Sequence, residues 1–131
     1  MTGPLLTATD VVVEYSGKGF RAKPFRALEG VSISIEEGKT LGLVGESGSG
    51  KTTLGRAILG LAPVTQGEIR FDGRDITHAS RRERRAVSRD IQVVFQDPYT
   101  SLNPAMEIGE ILAEPLAVQG VGGREARERI R

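Results

Sequence analysis

Hydrophobic and polar positions change their pattern several times along the chain, and each change predicts an element. Leu6 to Tyr15 contains the β-branched run Val11-Val12-Val13 and predicts a first strand. Residues 16 to 27 mix Gly, Lys, Arg, Pro and Phe without a period and read as a loop. Val31-Ser32-Ile33-Ser34-Ile35 alternates strictly, which predicts a strand with one solvated face. After the turn Glu36-Glu37-Gly38-Lys39, Thr40 to Val44 is continuously apolar apart from Gly42, the pattern of a strand buried on both faces of a sheet. A glycine-rich loop at 45–50 follows, then a helix from about Lys51 to Leu61.

Beyond Pro63, Glu68-Ile69-Arg70-Phe71 runs into Asp72-Gly73, a strong hairpin signal. Residues 79–89 are charged and helical in propensity, and Ile91-Gln92-Val93-Val94-Phe95 reads as a second buried strand. Asp97 to Pro104 reads as a polar loop, and Glu107 to Ala117 as a helix bent or ended by Pro115. After the break at Gly122-Gly123, Arg124 to Arg131 begins a last helix with Ile130 as its anchor. At eight residues it is below the roughly 12 at which isolated helices become stable. It is therefore expected to end before meeting a packing partner.

Composition narrows the chemistry. With 131 residues, 38% of them apolar, the chain holds material for one core. It has no Cys, which excludes disulfide scaffolds and Cys-ligated zinc or iron–sulfur sites. Its only His, His78, reads as a surface loop residue and excludes any site needing two imidazoles. The 18 Lys+Arg against 17 Asp+Glu leave a net charge of +1, no global pull toward nucleic acid or acidic lipid. The basic cluster Arg81-Arg82-Glu83-Arg84-Arg85, with Arg89 beyond it, contains no interleaved aromatic to stack on bases and reads as a solvated helix face. The N-terminus lacks the basic and apolar regions of a secretory signal, and no stretch of about 18 apolar residues occurs. Gly, at 17 residues, is well above the average of about 7%.

The placement of those glycines matters. Gly45-Glu46-Ser47-Gly48-Ser49-Gly50-Lys51-Thr52 fits G-x-x-x-x-G-K-[ST] at every fixed position, between a buried-type strand and a helix. Gly45, Gly48 and Gly50 give the backbone freedom to turn successive N–H groups inward as an anion nest. The helix that opens at Lys51 adds its partial positive charge. Lys51 supplies a full charge for the β- and γ-phosphates, Thr52 a hydroxyl for Mg²⁺, and Thr53 a further hydrogen bond to phosphate.

Downstream, Gln96 is followed by Asp97-Pro98-Tyr99-Thr100-Ser101-Leu102-Asn103-Pro104. Together with the stretch from Gly42 to Arg56, this resembles the ATP-binding subunits of ABC transporters, the oligopeptide/dipeptide importer group above all. The resemblance covers about Leu5 to Arg131. It implies an α/β fold: a P-loop NTPase core sheet with an antiparallel β portion and the start of an α-helical subdomain, truncated. Residues 1–96 would be the nucleotide-binding core and β portion, and 97–131 the Q-loop and first part of the helical subdomain. The cofactors implied are ATP and Mg²⁺. Tyr15 resembles the aromatic that stacks on adenine, although Phe20 or Phe25 could stack instead. Gly45, Glu46, Ser47, Gly48, Ser49, Gly50, Lys51, Thr52 and Thr53 resemble the phosphate loop. Gln96 resembles the glutamine that touches Mg²⁺ and the attacking water. Lys51 and Gln96 would thus be the catalytic residues present, with Thr52 and Gln96 on the metal.

The partners implied are transmembrane permease subunits, a second ATP-binding subunit and, indirectly, a solute-binding protein, with no nucleic acid. The location implied is peripheral, at the cytoplasmic face of the membrane. The sequence departs from the family by lacking the Leu-Ser-Gly-Gly-Gln signature, an apolar run ending in Asp-Glu and a downstream His. The resemblance implies an enzyme, a transport-coupled ATP hydrolase driving uptake of peptides or similar small solutes. The 131-residue chain alone is expected to bind Mg-ATP without hydrolysing it. Two alternatives stay open: a non-catalytic nucleotide-binding fragment docking on a membrane subunit through residues 99–117, and a P-loop ATPase acting on DNA.

Overall fold

The computed structural model describes residues 3–17 and 23–131, which fall into two compact units, 1–88 and 89–131. In the first unit the Val-rich segment forms β1 (Leu6–Tyr15), with the expected bounds. It pairs antiparallel with β2 (Phe25–Ile35) on one side and with β3 (Val64–Phe71) on the other. β3 turns at Asp72-Gly73 into β4 (Arg74–Asp75), so the sheet order is β2-β1-β3-β4. The hairpin expected there is formed, with Asp72 at φ 47° and Gly73 at φ 72°, both in the left-handed region such turns need.

The period of β1 breaks where the sequence breaks. Asp10 sits at φ 48° and the register shifts between Ala8 and Val11 on the β2 side. Such a bulge lets Ala8, Val11, Val12 and Val13 all be buried, which a regular two-residue alternation would forbid. Ser32 holds the bulge: the Asp10 N–H donates to Ser32 Oγ at 2.9 Å, and Ser32 Oγ donates to Asp10 Oδ1 at 3.3 Å. Opposite, Gly67 (φ 87°) lies so close to the Asp10 backbone that any Cβ would collide with it.

The helix α1 (Lys51–Ile58) lays Leu54 and Ala57 against β1 and β2, and these join Leu28, Ala62, Val64, Ile69 and Ile76 in the core of this unit. It is one turn shorter than expected, because Gly60 at φ 73° reverses the chain after Leu59. The seven-residue α2 (Arg81–Val87) is fixed at its start by a reciprocal capping box between Ser80 and Glu83.

Two expectations are corrected within this unit. Phe25, Arg26 and Ala27, read as loop, are strand, because Tyr15, Glu14 and Val13 draw the facing segment into the ladder. Phe20 lies outside the described residues. Thr40–Val44 is not a strand: it has no ladder among the described residues, and Leu41, Leu43 and Val44 are exposed. A strand meant for burial on both faces depends on neighbours on each side and layers above and below, and apolarity alone does not supply them.

The second unit is helical. Ile91–Phe95, expected as a strand, is irregular with Val93, Val94 and Phe95 exposed, for the same physical reason. The segment read as a polar loop contains a short helix, α3 (Pro98–Ser101), whose N-cap Asp97 accepts the Tyr99 N–H at 3.0 Å. α4 (Ile108–Val118) passes through Pro115 and is capped by Gln119, with Gly120 (φ 85°) turning the chain beyond it, so Pro115 does not terminate it. α5 (Gly123–Ile130) is not left without a partner, since it packs on α4 and buries Ala126, an apolar residue the single-anchor reading overlooked.

Candidate nucleotide-binding site

The loop 45–50 enters α1 through two left-handed glycines, Gly48 at φ 81° and Gly50 at φ 95°. Such conformations turn consecutive peptide N–H groups toward one side. Gly45 contributes differently. Its backbone is not left-handed, but a Cβ there would lie 2.6 Å from Ser49 Oγ, so the Ser49 hydroxyl would have to turn away from its present place beside Lys51. Gly50 combines both needs, for a Cβ would meet Leu28 Cδ2 at 2.6 Å and the Ala27 carbonyl at 3.0 Å. The loop is thereby pressed onto β2, a contact that the motif pattern does not encode.

Gly50 is also the N-cap of α1, where it offers no side chain to the first N–H groups, and no acidic residue occupies the first turn. The positive end of α1 is thus uncompensated by the protein, the condition under which a helix N-terminus receives an anion. The Lys51 ammonium lies over the loop and donates to the carbonyls of Gly45 and Glu46, both at 2.7 Å, and to Ser49 Oγ at 3.1 Å. This places the ammonium against the loop's carbonyls, at the N-terminal end of α1. Thr52, in the first turn, is exposed, and Thr53 is half-buried beside it. A cavity of about 180 Å³ lined by Leu28, Val31, Leu43, Ser49, Gly50 and Lys51 adjoins the loop.

Tyr15 ends β1 half-buried, directly opposite Phe25, which is 66% exposed. The ion pair Arg26 Nε to Glu14 Oε2, at 2.9 Å, holds the strand ends beside them and keeps the guanidinium pKa above its usual value through that hydrogen bond. Phe25 lies two residues before Ala27, about 7 Å along the strand from the carbonyl that faces Gly50. Both rings therefore stand on the strand pair that carries the phosphate loop. Gln96, in the second unit, is exposed just ahead of α3.

The arginine cluster is not uniformly solvated. Arg81, Arg82 and Arg85 are exposed, whereas Arg84 is half-buried and donates through Nη1 to the Ile58 carbonyl at 2.7 Å and through Nη2 to that of Ile76. Burial presses its pKa below the ordinary arginine value. The charge pattern concealed this residue. The capping-box spacing Ser80-x-x-Glu83, which sets the rotation of α2 and turns Arg84 and Val87 to the same side, could have revealed it.

A strand pair bearing a glycine loop, an uncapped helix and a lysine is the arrangement of the P-loop class. Comparison with known proteins narrows the class: the ABC transporter family model matches residues 28–130. The chain belongs to the ABC transporter family. The oligopeptide transport ATP-binding protein OppF of Escherichia coli is 48% identical over 111 residues, 83% of this chain and 33% of that protein. The di/tripeptide transport ATP-binding protein DppF of Pseudomonas aeruginosa is 46% identical over 126 residues, 94% of this chain and 39% of that protein. The chain spans 33–40% of the length of the curated relatives it matches. Among solved structures, a dimeric ATP-binding cassette in a post-hydrolysis state bound to ADP and Pi superposes with a TM-score of 0.74 at 28% identity, covering 95% of this chain and 53% of that one. A nucleotide-free ATP-binding cassette from an ABC transporter gives 0.57 at 25% identity, covering 95% and 58%. No helix among the described residues is long and apolar enough to cross a membrane.

Proposed function

We propose that residues 45–53 hold the phosphates of Mg-ATP and that the protein to which this sequence belongs is an ATP-binding subunit of a peptide importer. The observation that carries the reading is the uncapped N-terminus of α1 behind the left-handed Gly48 and Gly50, with the Lys51 ammonium over the loop. On phosphate binding, Lys51 exchanges backbone carbonyls for β- and γ-oxygens, and the N–H groups of Glu46 to Thr53 line the chain of phosphates. Thr52 offers one hard oxygen, which suits Mg²⁺ that keeps most of its shell from phosphate and water. The metal would neutralise charge on the terminal phosphates. Gln96 is assigned to the metal and the attacking water, and Tyr15 to the adenine face, with Lys51 and Gln96 as the catalytic pair.

At the level of the whole protein, the relatives are named as ATP-binding proteins of oligopeptide and di/tripeptide transport. That supports a role in uptake of peptides or similar small solutes, and hydrolysis of ATP coupled to that uptake is our proposal. The partners would be transmembrane permease subunits, a second ATP-binding subunit and a solute-binding protein, at the cytoplasmic face of the membrane. Residues 1–96 then serve as the nucleotide-binding core and β portion, and 97–131 as the Q-loop and start of the helical subdomain. Competition for a labelled ATP tests the site. ATP and ADP should displace the label and AMP should not, because the loop holds the outer phosphates. Displacement by adenosine or AMP as strong as by ATP would refute the phosphate assignment.

A further inference from the structure

One half-buried cation, Arg84, lies at the far end of the helix that opens the phosphate loop. Arg84 reaches from α2 to the Ile58 carbonyl, one of the last free carbonyls of α1, and to the Ile76 carbonyl beyond β4. Its guanidinium thus sits at the negative end of α1 while the Lys51 ammonium sits at the positive end. The fit is close: a Cβ on Gly60 would lie 2.5 Å from Arg84 Nε and 2.6 Å from Cζ. Gly60 is favoured by its left-handed turn, and a side chain there would displace the guanidinium from its place. Of the four arginines of α2, Arg84 alone makes such a contact among the described residues, and Arg81, Arg82 and Arg85 are exposed.

We infer that Arg84 is a positioning residue of the phosphate loop: by tying the C-terminal carbonyl of α1 to the β3–β4 hairpin, it fixes the axis along which the first turn of α1 and Gly50 present their N–H groups. The consequence for nucleotide rests on the ATP reading above, but the mechanical part does not. α1 has only eight residues, about 12 Å in length. Its other fixings among the described residues include Leu54 and Ala57 on the sheet, Gly50 against Leu28 and the Lys51 ammonium on the loop. Loosening one end of so short a rod tilts the other.

Two readouts on the full 131-residue chain test this. In the absence of nucleotide, amide hydrogen exchange is compared for Arg84→Met, Arg84→Lys and the exposed control Arg82→Met. Arg84→Met should speed exchange selectively at residues 49–54 and 57–61, Arg84→Lys less, and Arg82→Met not at all. For Mg-ATP, Arg84→Met should weaken affinity by about fivefold or more, within the usual range for coupled sites, with Arg84→Lys recovering part of the loss. Unchanged exchange at 49–54 in Arg84→Met would overturn the inference, as would a uniform rise across residues 3–88, which marks lost stability rather than lost position. If Arg84→Met fails to fold, Arg84→Lys carries the test with the same criteria. A parent chain that binds no ATP would refute the nucleotide reading alone, since the exchange pattern decides the role of Arg84 without it.

Discussion

Val11-Val12-Val13 and Leu41-Gly42-Leu43-Val44 belong to the same unit and are similarly apolar, yet their fates are opposite. Val13 is fully buried and Val44 is 99% exposed. The difference lies in what stands beside each. β1 has β2 along one edge, β3 along the other, and Leu54 and Ala57 of α1 on its face. Residues 41–46 have no ladder among the described residues. A β-rich apolar run specifies that it should be covered, and the identity of the cover is written elsewhere in the chain. The same holds in the second unit for Val94, 98% exposed, on a segment whose apolarity equals that of a core strand.

The sharpest way to break this contrast is a matched pair of truncations. Ile69→Ala, at a fully buried site on β3, should cost about 2–5 kcal/mol of stability. Val44→Ala should change it by less than about 0.5 kcal/mol. Denaturant midpoints at constant slope measure both, and equal losses would mean that Val44 is as well packed as Ile69.

Gly50→Ala is next in size. Its Cβ meets Leu28 and the Ala27 carbonyl and its φ of 95° is strained for any other residue, so about 1–3 kcal/mol should be lost, with ATP affinity falling further than stability. Gly48→Ala meets no atom within 4 Å, so it should show the backbone strain without the collision. Thermal melts and nucleotide titration of both variants separate the two glycines' reasons.

The aromatic pair gives a smaller effect. If Tyr15 carries the base, Tyr15→Ala should weaken ATP binding by about 1–3 kcal/mol while leaving the affinity for inorganic triphosphate unchanged. Phe25→Ala should leave both unchanged, and the reverse result would move the adenine to Phe25, across the ladder.

The smallest effect is in acid. The Asp75 carboxylate is held below its usual pKa first by the Thr77 hydroxyl, at 2.6 Å, then by the Thr77 N–H, at 2.8 Å. Glu83 is lowered likewise by hydrogen bonds to Ser80, side chain then backbone. Because both folded values are depressed, the stability they contribute is present above the unfolded carboxylate values near pH 4 and is lost as pH falls through the folded ones. The melting temperature should decline slightly more steeply below about pH 4 in the parent chain than in an Asp75→Asn, Glu83→Gln double variant. Parallel declines would show that neither carboxylate is linked to folding.

What could be read in advance follows the range of the interactions. β1, the Asp72-Gly73 hairpin and the loop 45–53 depend on local chemistry, namely β-branched residues, left-handed turn residues and a fixed spacing, and all are visible in sequence. The extension of β2 back to Phe25 depends on pairing with Tyr15 across an intervening segment of mixed character, and no local pattern announces it. Thr40–Val44 and Ile91–Phe95 depart from their strand-like pattern because doubly buried strands are defined by their neighbours. Arg84 was hidden because its role comes from two carbonyls, 26 and 8 residues away, rather than from its basic companions. At the site, the motif located the loop, while the pressure of Gly50 on β2 emerged only from the fold.

The direct test of the phosphate loop is calorimetric titration of Mg-ATP into the 131-residue chain and into Lys51→Ala. A single saturable site is expected in the parent. Removing the charge should weaken it by about tenfold or more, the scale of a lost charge-assisted hydrogen bond to phosphate. Equal affinity in the two chains, or no saturable heat in the parent, would contradict the assignment of residues 45–53 as the nucleotide cradle.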